Sequence, residues 1–326
     1  MILLTQTAAL GEGQTKNTVT DDGFQFTDRS LKEFNTAYSF LLGQKYSVDR
    51  FYKVSPERTE KIMEPFKKAF PDLLEIMTSI LVSRYSAEEI TNYHDELYEL
   101  MKKNPAANFV IQEENFVSLE KAIKKQVSGE LPDGHLRTFL SVIYRTNSAD
   151  ELQSGFKETY NFKDHEKALG LNIKIIIPKS WKGFEAKGAH MIQKWQKMNG
   201  GSQELYMLGV DDLQNEFKDN PRKVFAIGDL EQVFLDGGEL YSRYINNDFE
   251  NTVLSYQGRL NGSRIANQPE INSQLMHMNA MVIGNRIIYI QCKKTFVELT
   301  EETIDPDMDY LKQECDLLTK NLDVQE

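Results

Sequence analysis

Apolar side chains recur at every third or fourth position up to Gly129 and at every second position after Gly170. That switch constrains the fold more than any motif. A period near 3.6 buries one face of a helix, and a period of two buries one face of a strand. The chain is therefore expected to be α+β: an N-terminal helical bundle followed by an antiparallel β-sheet flanked by helices, an α/β/α sandwich. With 326 residues there is room for two domains. The expected organisation is a disordered or signal-remnant segment over 1–27, a helical domain over 28–129, a connector over 130–164 and an α+β sandwich domain over 165–326.

In the first half, Leu31, Phe34, Tyr38, Leu41 and Leu42 share one helical face. Ser55-Pro56 reads as an N-cap followed by proline at the first helical position. Ile62 and Phe66 continue that helix, which Pro65 is expected to kink or break. Pro71 begins a run carrying Leu74, Met77, Ile80 and Leu81. Ser86-Ala87-Glu88-Glu89 is a capping box opening a helix through Ile90, Tyr93, Leu97, Leu100 and Met101, which ends at Lys102-Lys103-Asn104-Pro105. A further helix through Phe116, Leu119, Ile123 and Val127 closes at Gly129. Short connections favour antiparallel neighbours in a bundle. Within the connector, Leu136, Phe139, Leu140, Ile143 and Tyr144 suit a helix, whereas residues 139–144 suit a strand equally well.

In the second half, Leu171–Ile177 is a strand stopped by Pro178, and residues 190–197, 203–210 and 251–260 read as further strands. Residues 229–245 read as a helix weakened by Gly237-Gly238. Residues 275–293 form the clearest hairpin. Met276, Met278, Ala280 and Val282 alternate with polar residues, and Ile288, Ile290 and Cys292 return. Gly284-Asn285 supplies a two-residue turn that suits type II′. Asp305-Pro306 is expected to cap and start a helix through Met308, Leu311, Cys315, Leu318 and Leu322, packed on the sheet.

The order of elements after residue 165, with Ile177-Pro178-Lys179-Ser180-Trp181 closing the first strand, resembles the α/β/α sandwich of the PsbP-like superfamily. That superfamily includes photosystem oxygen-evolving subunits, bacterial lipoproteins and a nuclear-import factor that binds the GTPase Ran. The resemblance covers about residues 165–325. It implies partner binding and transfers no catalytic residue, because the superfamily shares no catalytic apparatus.

The formal net charge of −11 argues against nucleic-acid binding. The longest basic groupings, Lys67-Lys68, Lys102-Lys103, Lys124-Lys125 and Lys293-Lys294, read as helix and strand ends. No stretch is long and apolar enough for a transmembrane segment. Residues 1–11 have two readings: the apolar part and cleavage site of a signal peptide lacking its basic start, which places the protein in the periplasm or cell envelope, or a frayed terminus, compatible with a cytoplasmic protein. Cys292, in a strand pattern, and Cys315, on the last helix, have two readings: a pair that packing of the helix on the sheet would allow to meet, or two isolated buried thiols.

Chemistry-bearing motifs are sparse. The five histidines, His94, His135, His165, His190 and His277, form no His-Glu-x-x-His, and there is no Cys-x-x-Cys. Nucleophile-elbow, Walker and dinucleotide patterns fail as well. No catalytic, cofactor-binding or metal residue is therefore assigned, and no cofactor is expected. His94 reads as solvated. His190 and His277 are either sheet neighbours or unrelated. Trp181, Trp195, Tyr206 and Tyr256 read either as an aromatic recognition surface or as core. Asp211-Asp212, Glu113-Glu114 and Glu301-Glu302 read either as calcium-binding or acid–base carboxylates or, having the spacing of no known loop, as solvated or capping pairs. These features favour a non-catalytic binding or accessory protein of a bacterial cell envelope with a protein partner. The alternative is a hydrolase or other enzyme with an unrecognised site between the domains.

Overall fold

The structure is a computed structural model that describes residues 28–104, 107–197, 204–212, 238–249, 252–261, 273–296, 299 and 301–326. The chain divides into two units, and among the described residues the boundary falls between Phe156 and Lys157. Helices fill the first unit. Among the described residues, two antiparallel sheets and one long helix make the second, so the chain is α+β.

The helical unit begins with α1 (Asp28–Val54), whose stripe of Phe34, Tyr38, Leu41, Leu42, Val48 and Phe51 is buried. α2 (Pro56–Ala69) starts where expected, with Ser55 extended at the N-cap and proline at the first position. Pro65 does not break it: the helix runs on to Ala69, and Met63 and Phe66 on either side of the proline are buried. α3 (Leu73–Val82) follows Asp72, which adopts φ +50°. α4 (Ala87–Lys103) opens with the capping box, the Glu89 amide donating to Ser86 Oγ at 3.2 Å and the Ser86 amide to Glu89 Oε2 at 2.8 Å.

α5 (Glu113–Val127) is closed by Gly129 at φ +87°. The Glu130 amide donates to Lys125 O at 2.8 Å and the Gly129 amide to Gln126 O at 3.1 Å, a Schellman closure that places glycine at the left-handed position. The ambiguous segment is helical: α6 (Asp133–Ile143) buries Leu136, Phe139 and Leu140, and α7 (Ser148–Gln153) follows. Residues 130–164, expected as a connector, thus contribute two helices to the first unit and a strand to the second.

In the second unit, β1 (Lys157–Asn161), β2 (Asn172–Pro178) and β10 (Leu322–Gln325) form a three-stranded sheet in the order β1-β2-β10. The other strands are β3 (Lys182–Glu185), β4 (Met191–Gln196), β5 (Glu204–Asp212), β6 (Gly238–Asn246), β7 (Val253–Asn261), β8 (Ser273–Ile283) and β9 (Arg286–Phe296). Their order is β3-β4-β5-β9-β8-β7-β6, and every pairing is antiparallel. The expected hairpin is β8–β9. Gly284 has φ +55° while Asn285 stays outside the left-handed region, as a type II′ turn requires.

Two expectations are corrected. Residues 238–246 are strand β6 rather than part of a helix; residues 229–237 of that expected helix lie outside the described residues. Alternation of half-covered and exposed positions along β6 marks one solvated face, a period that Gly237-Gly238 and the apolar spacing of Leu240, Tyr241 and Tyr244 hid. The last helix, α8 (Glu301–Lys320), starts before Asp305-Pro306 and takes Pro306 inside it. Its stripe of Met308, Leu311, Cys315 and Leu318 packs with Ile173, Ile175 and Ile177 of β2 and Leu208, Ile288 and Ile290 of the larger sheet in one core. Residues 1–11, the candidate signal segment, lie outside the described residues.

Candidate functional site

The buried polar chemistry of the second unit collects under α8. On a helical wheel, polar residues flank its apolar stripe on both sides, so each flank meets a different part of the sheet. Toward β4 and β5 it places Tyr310 and Glu314, four residues apart. Lys197, just beyond β4, is 1% exposed; its Nζ donates to Tyr310 Oη at 2.5 Å and lies 3.5 Å from Glu314 Oε1. Tyr310 and Tyr206 both donate to Glu204 Oε2, at 2.9 and 3.0 Å. Burial, reinforced by the Glu204 carboxylate, pushes both phenols well above their ordinary range. They stay protonated and act as donors, not as bases or nucleophiles. Trp181 stacks on Tyr206 at 3.9 Å between ring centroids. The arrangement is a clamp between helix and sheet.

Toward β6, β7 and β8 the other flank carries Lys312, Asp316 and Thr319. Asn279 of β8 donates to Asp316 Oδ1 at 2.9 Å and to Thr319 Oγ1 at 3.0 Å, and accepts from Ser255 Oγ at 2.6 Å. Asn246 donates to the same Asp316 oxygen at 3.3 Å, and Lys312 pairs with Oδ2 at 2.8 Å. His277 Nε2 lies 3.0 Å from Asn279 Oδ1. Burial holds the imidazole neutral, its pKa lowered to about 4. Between the two flanks, Cys292 of β9 and Cys315 are joined in a disulfide, with Cα atoms 5.8 Å apart, within the span such a bond requires.

The structure separates most of the residues singled out by sequence. His277 is buried on β8. His190 precedes β4, two strands short of β8's neighbour β9, and pairs at 3.3 Å with Asp211 on the exposed surface. His94 is not simply solvated: its Nε2 lies 2.7 Å from the buried Tyr38 hydroxyl, and burial lowers its pKa. Trp181, Trp195, Tyr206 and Tyr256 are 0–1% exposed, so they are core rather than a recognition surface. Glu113 pairs with Arg58 and Asp212 with Arg286. No metal-ligating group of three or more side chains occurs among the described residues. In the Lys293-Lys294 pair, Lys294 reaches Asp307 of α8 at 2.7 Å. Lys293 points to the other face, where burial lowers its amine to about 8.

Sequence reasoning missed Lys197, Glu204, Glu314 and Asp316. The available signal was the pairing of Tyr310 with Glu314 and of Lys312 with Asp316, each at i,i+4 beside an apolar stripe.

The helical unit offers concave surface instead. One cleft of about 330 Å³ is bounded by Phe40, Lys121, Ala122, Gln126, Leu131 and Pro132, among others. A second, of about 400 Å³, shares Pro132 and includes His135, whose ring stacks on Phe40 at 4.8 Å. Gln126 is 5% exposed, and its Oε1 has no hydrogen-bond partner among the described residues. Gln44, one turn beyond Phe40 on α1, is buried, and neither of its side-chain polar atoms is bonded among the described residues. Unpaired buried amides are uncommon in folded proteins.

No protein-family model matches the chain, and no curated protein does. Solved structures match about half of it. Cyanobacterial PsbP (CyanoP) from Synechocystis is 13% identical, with 52% of this chain and 92% of that one covered and a TM-score of 0.33. The Ran-binding protein Mog1p of Saccharomyces cerevisiae is 8% identical, covering 51% and 95%, with a TM-score of 0.34. LpqN, involved in cell envelope biogenesis of Mycobacterium tuberculosis, is 10% identical, covering 55% and 96%, with a TM-score of 0.34. Each of these likenesses is at low identity and over about half of this chain. No helix among the described residues is long and apolar enough to cross a membrane.

Proposed function

We propose that this protein is a non-catalytic binding or accessory protein of a bacterial cell envelope, acting through a protein partner. One observation carries the reading. The titratable groups best suited to chemistry, Lys197, Glu204, Tyr206, Tyr310 and Glu314, are engaged with one another between α8 and the sheet, where Lys197, Tyr206 and Glu314 are at most 4% exposed. Groups spent on holding a helix in place are not presented to a substrate. The Cys292–Cys315 disulfide supports the compartment, since such bonds persist in oxidising spaces and are uncommon in reducing cytosol.

The test has two readouts on the full chain in its native cells. Acid-quenched differential thiol labelling reads the oxidation state of the cysteines in each cell fraction, and crosslinking followed by affinity capture reads the partner. An oxidised pair in the envelope fraction, together with a reproducibly captured protein, is the expected result. Reduced cysteines in a cytosolic fraction, or turnover in a hydrolase panel abolished by one conservative substitution, overturns the proposal.

A further inference from the structure

The loop between α4 and α5 is gripped from two sides, yet it turns its apolar side chains outward. Arg50 of α1 donates to Ala107 O and, at 2.6 Å, to Phe109 O. The Asn108 side-chain amide donates to Met101 O and Asn104 O, each at 3.1 Å, and to Lys102 O, closing the last turn of α4. Tyr46 Oη donates to Asn108 Oδ1 at 3.3 Å. Phe109 lies edge-on to Phe51 at 6.4 Å between ring centroids, which sets the loop beside the last turn of α1. Despite this anchoring, Val110 is 78% exposed, Phe109 38%, and Val54, one turn along α1 from Arg50, 57%. Lys53, next to Val54, and Lys103, at the end of α4, are exposed and join no ion pair among the described residues. Glu113, the next carboxylate along the chain, is paired with Arg58 at 2.5 Å.

We infer that this loop docks the helical unit on an anionic lipid bilayer. Val54, Phe109 and Val110 enter the boundary between headgroups and acyl chains, and Lys53 and Lys103 meet lipid phosphates. A projecting apolar tip flanked by free cations matches a surface that is apolar beneath and anionic at its edge. A folded partner needs a preformed pocket for each projecting side chain, whereas acyl chains close around them. Lysine is depleted from the centres of protein interfaces, but at a bilayer its long stem carries the ammonium to the headgroup level. Few side chains take part, so attachment is weak and reversible. The formal net charge of −11 does not oppose it, because exposed charges beyond a Debye length of about 10 Å are largely screened. The inference rests on the envelope reading and assigns the surface that meets a membrane.

The full chain is floated in a density gradient with vesicles of phosphatidylethanolamine and phosphatidylglycerol. Half-maximal binding is expected at about 1 mM lipid, and at least about fivefold weaker binding with phosphatidylcholine alone or in about 0.5 M salt. Val110→Asp is expected to weaken binding at least about tenfold with an unchanged melting temperature, since the side chain stands mostly in water. Lys53→Glu combined with Lys103→Glu is expected to weaken it about tenfold. Val82→Asp, at a valine of α3 that is 53% exposed, is expected to leave binding unchanged. Val110→Trp is expected to emit further to the blue on vesicles and to be quenched by brominated acyl chains, against a constant signal from buried Trp181 and Trp195. No flotation at about 5 mM lipid overturns the inference. So do flotation that survives Val110→Asp, an equal loss in Val82→Asp, or Val110→Trp emission that brominated chains leave unquenched. Cell fractionation keeps the two readings separable: if the cysteines are oxidised in the envelope fraction while vesicles are not bound, only the bilayer assignment falls.

Discussion

The two units handle charge in opposite ways. In the helical unit, ion pairs lie on the surface, as in Lys45–Asp49, Lys102–Glu99 and Lys124–Glu120, with side chains about half exposed or more. Its interior is apolar and aromatic, with buried amides such as Gln44 and Gln126 unpaired among the described residues. In the sheet unit, by contrast, Lys197, Glu314 and Asp316 are buried and bonded under one helix, beside a disulfide. The difference follows from connectivity. Helices in a bundle satisfy their own backbones and need only an apolar stripe to associate. α8 must be held at one position on a broad sheet, and polar contacts with fixed partners supply a register that an apolar stripe alone leaves loose.

Breaking the buried pair gives the sharpest contrast. Lys197→Met leaves Glu314 charged and uncompensated, so urea unfolding is expected to show a loss of about 3–5 kcal/mol. The same exchange at exposed Lys124 is expected to cost under about 0.5 kcal/mol. Equal effects would erase the distinction between the units.

The disulfide comes next. Its two cysteines are 23 residues apart, and replacing both by alanine is expected to cost about 3 kcal/mol by loop-closure entropy, read from the denaturant midpoint.

Acid probes the other flank of α8. His277 is neutral when folded, its pKa about 4 against an ordinary 6.5, so the unfolded chain binds its proton first. Its contribution is complete above pH 6.5 and is lost as pH falls through 4. Relative to His277→Gln, the wild type is expected to lose up to about 3 kcal/mol over that interval. Parallel pH–stability curves for the two proteins would refute a neutral buried imidazole.

Removing a helix cap in the helical unit costs less than breaking the buried pair, the disulfide or the buried imidazole. Ser86→Ala is expected to cost about 1 kcal/mol by removing the α4 cap, with little change in pH dependence.

Elements with strong local signals were legible from residues alone. The Ser86–Glu89 box, Ser55-Pro56, the close at Gly129, the Gly284-Asn285 hairpin and the strand ending at Pro178 need only neighbours within a few positions. Where local signals conflicted, reading failed. Pro65 and Pro306 sit inside helices, since packing of the surrounding apolar faces outweighs one lost backbone bond. β6 reads as strand because β7 pairs with it, which no local pattern records.

The candidate site was almost wholly illegible. Lys197 and Glu314 are 117 positions apart, and Asn279 and Asp316 are 37 apart. The sequence by itself determined where the period changes, and with it the succession of helices and then strands, because the backbone reads side-chain spacing locally. Only the tertiary structure decided that Cys292 would meet Cys315, that four aromatic residues would be core, and that the charges flanking α8 would be buried. Those outcomes depend on which distant surfaces come together to exclude water.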